Sequence, residues 1–409
     1  MSYLIGKQKM PQSNAPVPTP VVPIPQDAIP LCAPELGGNE WQFIKECLDT
    51  NFVSSVGPFV DRFERELAAR VGAQYAVATV NGTAALHIAL LVAGVQHDDE
   101  VLIPTLTFIA PVNAIRYVGA WPVFIDAEPS YWQMDVRGVE AFLNTECYWI
   151  RNELRNKTTG RRVRAILPVH ILGHPVDMDP ILAVAQKFEL TVIEDASEGL
   201  GAKYKGRMVG TFGHIACFSF NGNKIITTGG GGMLVTNNEE WARRAKYLTT
   251  QAKDDPVEFV HDEIGYNYRL TNIQAALGCA QLELLDSYIS RKRQIAASYA
   301  KSLDGALGLT LMQEAPWAFS TFWLYTILVD PGQYGKDSRA LLKTLNLLKI
   351  QTRPLWQPIH RSLAHSTCQA YKCHVAEQLN ACALSLPSSV GLTENQQRWV
   401  IDHVRVPDV

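Results

Sequence analysis

No CxxC pair occurs among the eight cysteines, at positions 32, 47, 147, 217, 279, 368, 373 and 382, so neither a zinc site nor a disulfide framework is indicated. Scattered thiols suit a reducing compartment, and a cytoplasmic location is the expectation. No run of about 18 apolar residues is present, and no basic stretch leads an apolar core at the N-terminus, which disfavours a membrane span and a secretory leader. An excess of one charge is also missing. Against 37 Lys+Arg stand 40 Asp+Glu, and a net charge of -3 gives no general attraction to nucleic acid or anionic lipid. The short basic runs Arg161-Arg162-Val-Arg164 and Arg291-Lys292-Arg293 are expected on solvated surface. Neither GxxxxGK(S/T) nor GxGxxG occurs, which removes two common nucleotide-binding loops, and no internal repeat is visible. The expected partners are therefore small molecules and a second copy of the chain.

With 409 residues, 47% of them hydrophobic, the chain can fill a large core and a smaller second one. Residues 1–30 hold seven prolines, among them Pro16, Pro18, Pro20, Pro23 and Pro25, a spacing that favours an extended arm. Strand-like segments then recur at 75–80, 101–103, 122–125, 165–169, 190–194 and 233–236, alternating with helical patterns at 83–92, 109–118, 179–188 and 239–248. The strands are short and apolar without polar alternation, as in a parallel sheet buried on both faces. Residues 146–162 interrupt this rhythm with charges and a Thr158-Thr159-Gly160 turn, and read as a surface insertion. The pattern from 272 to about 303 reads as one long helix leaving a large domain (31–285) for a small α/β domain (286–409). A strand at 322–329 and a helix at 338–347 follow in the latter.

Two residues carry the chemistry. Lys224 lies in Ser219-Phe-Asn-Gly-Asn-Lys224-Ile-Ile, ahead of the glycine run 229–232, and Asp195 ends the apolar strand Val192-Ile-Glu-Asp195. A lysine in a turn after one strand and an acid ending another suit pyridoxal 5'-phosphate: the amine forms a Schiff base, and the carboxylate keeps the ring nitrogen protonated. Apolar neighbours Phe218, Phe220, Ile225 and Ile226 favour a partly desolvated, nucleophilic amine, although such a lysine also snorkels to the surface. The alternative reading of Asp195 is a cap of the turn that follows it. Asn81-Gly82-Thr83-Ala84 joins a strand to a helix, where the amides of Gly82 and Thr83 favour an anion or serve a simple N-cap. Ser219 would add a hydroxyl to a phosphate there. His170 and His174 follow a strand and would approach a substrate or sit in core or loop; their HxxxH spacing lacks the helix and third ligand of a metal site.

These motifs together resemble the DegT/StrS-type PLP-dependent sugar-nucleotide aminotransferases of fold type I, from Pro30 to Arg405. Further parts of the resemblance are Pro104-Thr-Leu-Thr-Phe108-Ile-Ala-Pro and Gly265-Tyr-Asn267-Tyr-Arg269, while 37–57 looks like the LegC-like branch. The family implies a mostly parallel seven-stranded-type sheet with helices on both faces and a smaller C-terminal α/β domain. It assigns Lys224 to the Schiff base, Asp195 to the pyridinium, Phe108 to ring stacking, and Gly82, Thr83 and Ser219 to the phosphate. Asn267 matches an asparagine that reaches the phosphate of the neighbouring subunit, which implies a homodimer with shared active sites.

Glu198 departs from the glutamine or histidine that many relatives place near the cofactor hydroxyl; ionised, it would repel a phenolate oxygen unless protonated or paired. Arg353 and Trp356, in Gln351-Thr-Arg353-Pro-Leu-Trp356, resemble the Arg-Pro-apolar-Trp pattern of branches that make 4-amino sugars, with Arg353 on an anionic group and Trp356 on a sugar or base. The expected activity converts a UDP- or GDP-linked 4-keto-6-deoxy sugar, with or without a 2-acetamido group, to the 4-amino sugar. L-glutamate is the expected donor, and the cofactor passes through pyridoxamine 5'-phosphate. A related dehydratase branch carries histidine in place of the Schiff-base lysine, and a non-catalytic paralogue would be expected to lose Lys224 or Asp195; neither is lost here.

Overall fold

The computed structural model describes residues 28–255 and 257–405, so most of the proline-rich arm lies outside the described residues. Where the description begins, Ile29 is already tied down: its amide donates to Lys349 O and its carbonyl accepts from Gln351, both at 2.9 Å.

Eight strands form the central sheet: β1 (Tyr75–Thr79), β2 (Glu100–Pro104), β3 (Trp121–Ile125), β4 (Val163–Ile166), β5 (Thr191–Asp195), β6 (Ile215–Ser219), β7 (Gly232–Thr236) and β8 (Ala370–Tyr371). Their order is β1-β7-β6-β5-β4-β2-β3-β8. Only β7 runs against its neighbours; the other pairings are parallel. Seven strands come from 75–236, and the eighth is the short edge strand β8, beyond the seven expected. All residues of β2, β5 and β7 are buried, which is why these segments carry no polar alternation. Successive side chains of a strand point to opposite faces, so Val101 and Ile103 enter one apolar cluster while Leu102 enters the other.

Local chemistry starts the helices that cover the sheet. Asn81 caps Gly82–Val92 by accepting from Ala84 N, Asn238 caps Glu239–Thr249, and Thr271 with Gln274 forms a capping box on Asn272–Glu283. A second sheet, of Leu309–Leu311, Tyr325–Val329 and Ala383–Leu386, lies in the C-terminal region with the helix Ser338–Leu347. Residues 146–162 form a hairpin, Cys147–Ile150 with Glu153–Asn156, which exposes Tyr148 and Trp149. Asn156 and Thr159 anchor it by donating to the buried Glu100, each at 2.7 Å.

Four expectations need correction. The helix expected over 272–303 is two, Asn272–Glu283 and Leu285–Leu303, because Leu284 (φ -98, ψ -3) turns the chain at a point where Gln281 reaches back to Glu35 O and Glu40. The strand expected over 165–169 is Val163–Ile166, and Val169 makes only an isolated bridge to Asp195. The strand expected over 322–329 begins at Tyr325: Phe322 is left-handed (φ 49), which turns Trp323 out of the sheet. Lys292 is not on the solvated surface but 2% exposed, its ammonium donating to Trp323 O at 3.0 Å and Ser388 O at 2.7 Å.

Candidate active site

The C-terminal ends of β5 and β6 and the first turn of Gly82–Val92 face one cavity of about 300 Å³. Open α/β sheets bind ligands at this edge, where strand carboxyl ends and helix N-termini meet. Asn81, Gly82, Thr83, Phe108, Asp195 and Glu198 line it, as do Ser219, Lys224, Trp323 and Trp356. Gly232, which begins β7, allows this convergence: a Cβ there would come within 2.5 Å of the Asn81 carbonyl carbon. Gly229 (φ 77) and Gly231 (φ 120) supply left-handed backbone in the same run.

Lys224 stands on a closed loop. Phe220 N donates to Gly231 O and Thr228 N to Phe220 O, both at 2.9 Å, and Lys224 N turns back to Asn221 O. Its side chain is 14% exposed, with Nζ 3.5 Å from Glu198 Oε1 and 4.3 Å from the centroid of the Trp323 ring. The amine is thus held inside the cavity.

Asp195 is buried and accepts from Ser197 N at 3.0 Å, so the turn cap and the site-facing acid are the same group. Burial raises its carboxyl above the ordinary value, against opposing pulls from Ser197 and the Lys224 charge. Burial also raises Glu198, against the Lys224 charge and the Leu172 amide, which donates at 2.8 Å. Phe108 is 54% exposed at the rim, leaving ring surface free to face a ligand.

Other expected residues lie elsewhere. His170 is buried away from the cavity lining, with Nδ1 accepting from Val176 N and Nε2 bonded to Glu194, each at 3.0 Å. No ring nitrogen is left for a substrate, and the expectation of a substrate contact at His170 is corrected. His174 is committed likewise, to Pro175 O and Ala315 N, and burial pushes it down to about 4. Arg353 is exposed, outside the lining, with Nη1 on the adjacent Thr352 O. Asn267 is exposed in an isolated bridge with Thr250 and does not line the cavity of its own chain.

Trp323 is the residue that sequence reasoning missed. Its indole N–H donates to Asn223 O at 2.7 Å across 100 residues of sequence, and no local pattern signals such a contact. Thr107, Ser197, Asn221 and Asn223 also line the cavity, and only their nearness to Phe108, Asp195 and Lys224 in the sequence marked them.

Residues 34–405 match the family described as the DegT/DnrJ/EryC1/StrS aminotransferase family. The chain is 41% identical over 377 residues to a GDP-perosamine synthase of Escherichia coli O157:H7, covering 92% of this chain and 97% of that one. It is 35% identical to a UDP-N-acetyl-3-dehydro-alpha-D-glucosamine 3-aminotransferase of Acidithiobacillus ferrooxidans, over 81% and 84% of the two chains. The fold is similar to the crystal structure of a DegT DnrJ EryC1 StrS aminotransferase from Brucella abortus, with a TM-score of 0.82, 27% identity, and coverage of 90% and 94%. With a lysine, two buried acids and a helix N-terminus around one cavity, and this likeness along nearly the whole chain, the protein belongs to the DegT/DnrJ/EryC1/StrS aminotransferase family.

Proposed function

We propose that the protein transfers an amino group from L-glutamate to a nucleotide-linked 4-keto-6-deoxyhexose, using pyridoxal 5'-phosphate in the cytosol. The observation that carries this reading is the convergence of Lys224, Asp195, Ser219 and the Gly82–Val92 N-terminus on one cavity.

The residues present fit that cofactor. Helix-opening amides favour a phosphate, and Gly82 keeps them open to Ser219, since a Cβ there would lie 2.9 Å from Ser219 Cβ. Asp195, an acid raised by burial, gains from a neighbouring cation, and a protonated ring nitrogen is one. Bound there, the cofactor supplies an electron sink that stabilises the charge left when a proton leaves the donor Cα. Lys224 would hold it covalently and, once free, would carry the proton at the donor Cα. Asp195 would keep the ring nitrogen protonated, and Phe108 would cover the ring. The same residues would serve the sugar carbonyl, whose oxygen would leave as water.

The acceptor rests on the relatives and on Trp356. Perosamine is a 4-amino sugar, and the GDP-perosamine synthase likeness favours a GDP-linked 4-keto acceptor. A UDP-linked acceptor is the second reading, favoured by the 3-aminotransferase relative. Trp356 on the cavity wall provides a face for sugar or base, and the exposed Arg353 is available to the diphosphate. Asn267, outside its own cavity, is proposed to complete the site of a second subunit in a homodimer.

The test is incubation of the full-length protein with L-glutamate and a panel of GDP-, UDP- and dTDP-linked keto sugars, read by mass spectrometry. The expected product has the carbonyl oxygen replaced by an amine, strongest with GDP. Absence of aminated product across the panel would sink the sugar-nucleotide reading.

A further inference from the structure

The contacts of Lys224 reach beyond its attachment role. We propose that Glu198 and Trp323 form a holding site for the free, protonated amine of Lys224, and that this site sets how readily the lysine is released during turnover. The inference rests on the role assigned to Lys224 above.

The amine lies between a carboxylate oxygen at 3.5 Å and an indole ring whose centroid is 4.3 Å away, two partners that both favour a cation. Each is fixed by contacts that do not involve the lysine. Glu198 spends its other oxygen on the Leu172 amide at 2.8 Å. Leu172 adopts a left-handed conformation (φ 58), which costs a non-glycine residue about 1 kcal/mol or more and persists only where the surroundings impose it. Trp323 is pinned at both ends, its indole N–H on Asn223 O and its carbonyl on the buried Lys292 ammonium. The 171–173 turn, which supplies the Leu172 amide to Glu198, and the segment that carries Trp323 are themselves joined, because Gly173 O accepts from Thr321 N at 2.9 Å and from Ser320 Oγ at 3.0 Å. Two jaws braced against one another thus stand around the amine.

Release of the lysine is an exchange. The protonated C=N bond to Lys224 breaks as a protonated C=N bond to the donor nitrogen forms, and two protons pass from the donor ammonium to the lysine nitrogen, which ends as the Lys224 ammonium. A site that stabilises the resulting ammonium shifts this exchange towards the free lysine without touching donor or acceptor. Glu198 and Trp323 are in this sense positioning residues for the lysine.

The full-length protein loaded with pyridoxal 5'-phosphate is equilibrated with L-glutamate and 2-oxoglutarate at graded ratios, without sugar, and quenched with borohydride. Peptide mass spectrometry then gives the fraction of chains carrying reduced cofactor on Lys224. Glu198→Gln is expected to need about tenfold more glutamate relative to 2-oxoglutarate to free half of the lysines, as expected for the loss of a buried charge partner. Trp323→Phe, which keeps a ring but loses the indole anchor, is expected to shift the ratio about threefold. Midpoints within twofold of wild type in both variants, with normal linkage before glutamate is added, would overturn the holding site. Wild-type protein that never carries the cofactor on residue 224 would instead overturn the role of Lys224 itself.

Discussion

Glu194 and Asp195 are neighbours on β5, both buried, and the sheet sends them to opposite faces. Glu194 is fully provided for: its oxygens accept from His170 Nε2 and from the amides of Gly210, Phe212 and Gly213 at 2.6–3.0 Å. Burial alone would raise it, but His170 and those amides outweigh burial and hold it below the ordinary value. Asp195 and Glu198 each have one backbone amide and share the Lys224 charge, and both are raised. A carboxyl in the same interior is thus a structural anchor where its lone pairs are filled. Where they are left short, as at Asp195 and Glu198, it is raised and open to a cation in the cavity.

Substitutions on the two faces should separate these roles. The largest effect is expected from Lys224→Ala, which should lower turnover by about 10⁴-fold or more and abolish the absorbance of the cofactor–lysine linkage. Retention of both would remove Lys224 from its role. Asp195→Asn should lower kcat by about 10³-fold while the melting temperature stays level or rises, since an under-compensated buried acid is removed. A fall in melting temperature with activity preserved would reverse the comparison.

Glu194→Gln should do the opposite, costing about 3 kcal/mol in urea unfolding, because the replacement turns a donor group towards waiting amides. The pH dependence carries the same contrast. Glu194 has a lowered folded-state pKa, so its stabilisation is present above the unfolded value of about 4.3 and is lost as pH falls through the folded value. For Asp195 and Glu198 the folded values are raised, so their destabilisation is relieved as pH falls through them. Urea unfolding of wild type and Glu194→Gln across the acid range should show a shallower loss in the variant. The smallest effect is expected from Asn267→Ala: about tenfold weaker cofactor retention in the dimer, read by dialysis and residual absorbance. Unchanged retention would count against a shared site.

Much of the cavity was legible because its signals are local. Asp195 ends an apolar strand, Gly82 and Thr83 open a helix, and Lys224 follows a strand within five residues of Ser219. Each is a property of a few consecutive residues placed on a sheet edge by topology. His170 also follows a strand, but a position in sequence does not say which layer receives the ring, and Glu194 claims it. Trp323 was read as part of a strand because its apolar neighbours suit one; the left-handed Phe322 before it is set by tertiary contacts of 320–322 with Gly173, which no local propensity encodes. The break at Leu284 was hidden for the same reason, since a leucine continues the apolar pattern.

The two-residue strand β8 has a wider meaning. Ala370–Tyr371 lies beside β3, Gln369 O accepts from Phe124 N at 2.9 Å, and Asp126 accepts from the amides of Val375 and Ala376 at 2.8 Å. The late part of the chain thereby seals the open flank of a sheet built by the early part. Removing residues 369–376 would therefore leave β3 as an open edge, with its backbone groups bare to a passing strand.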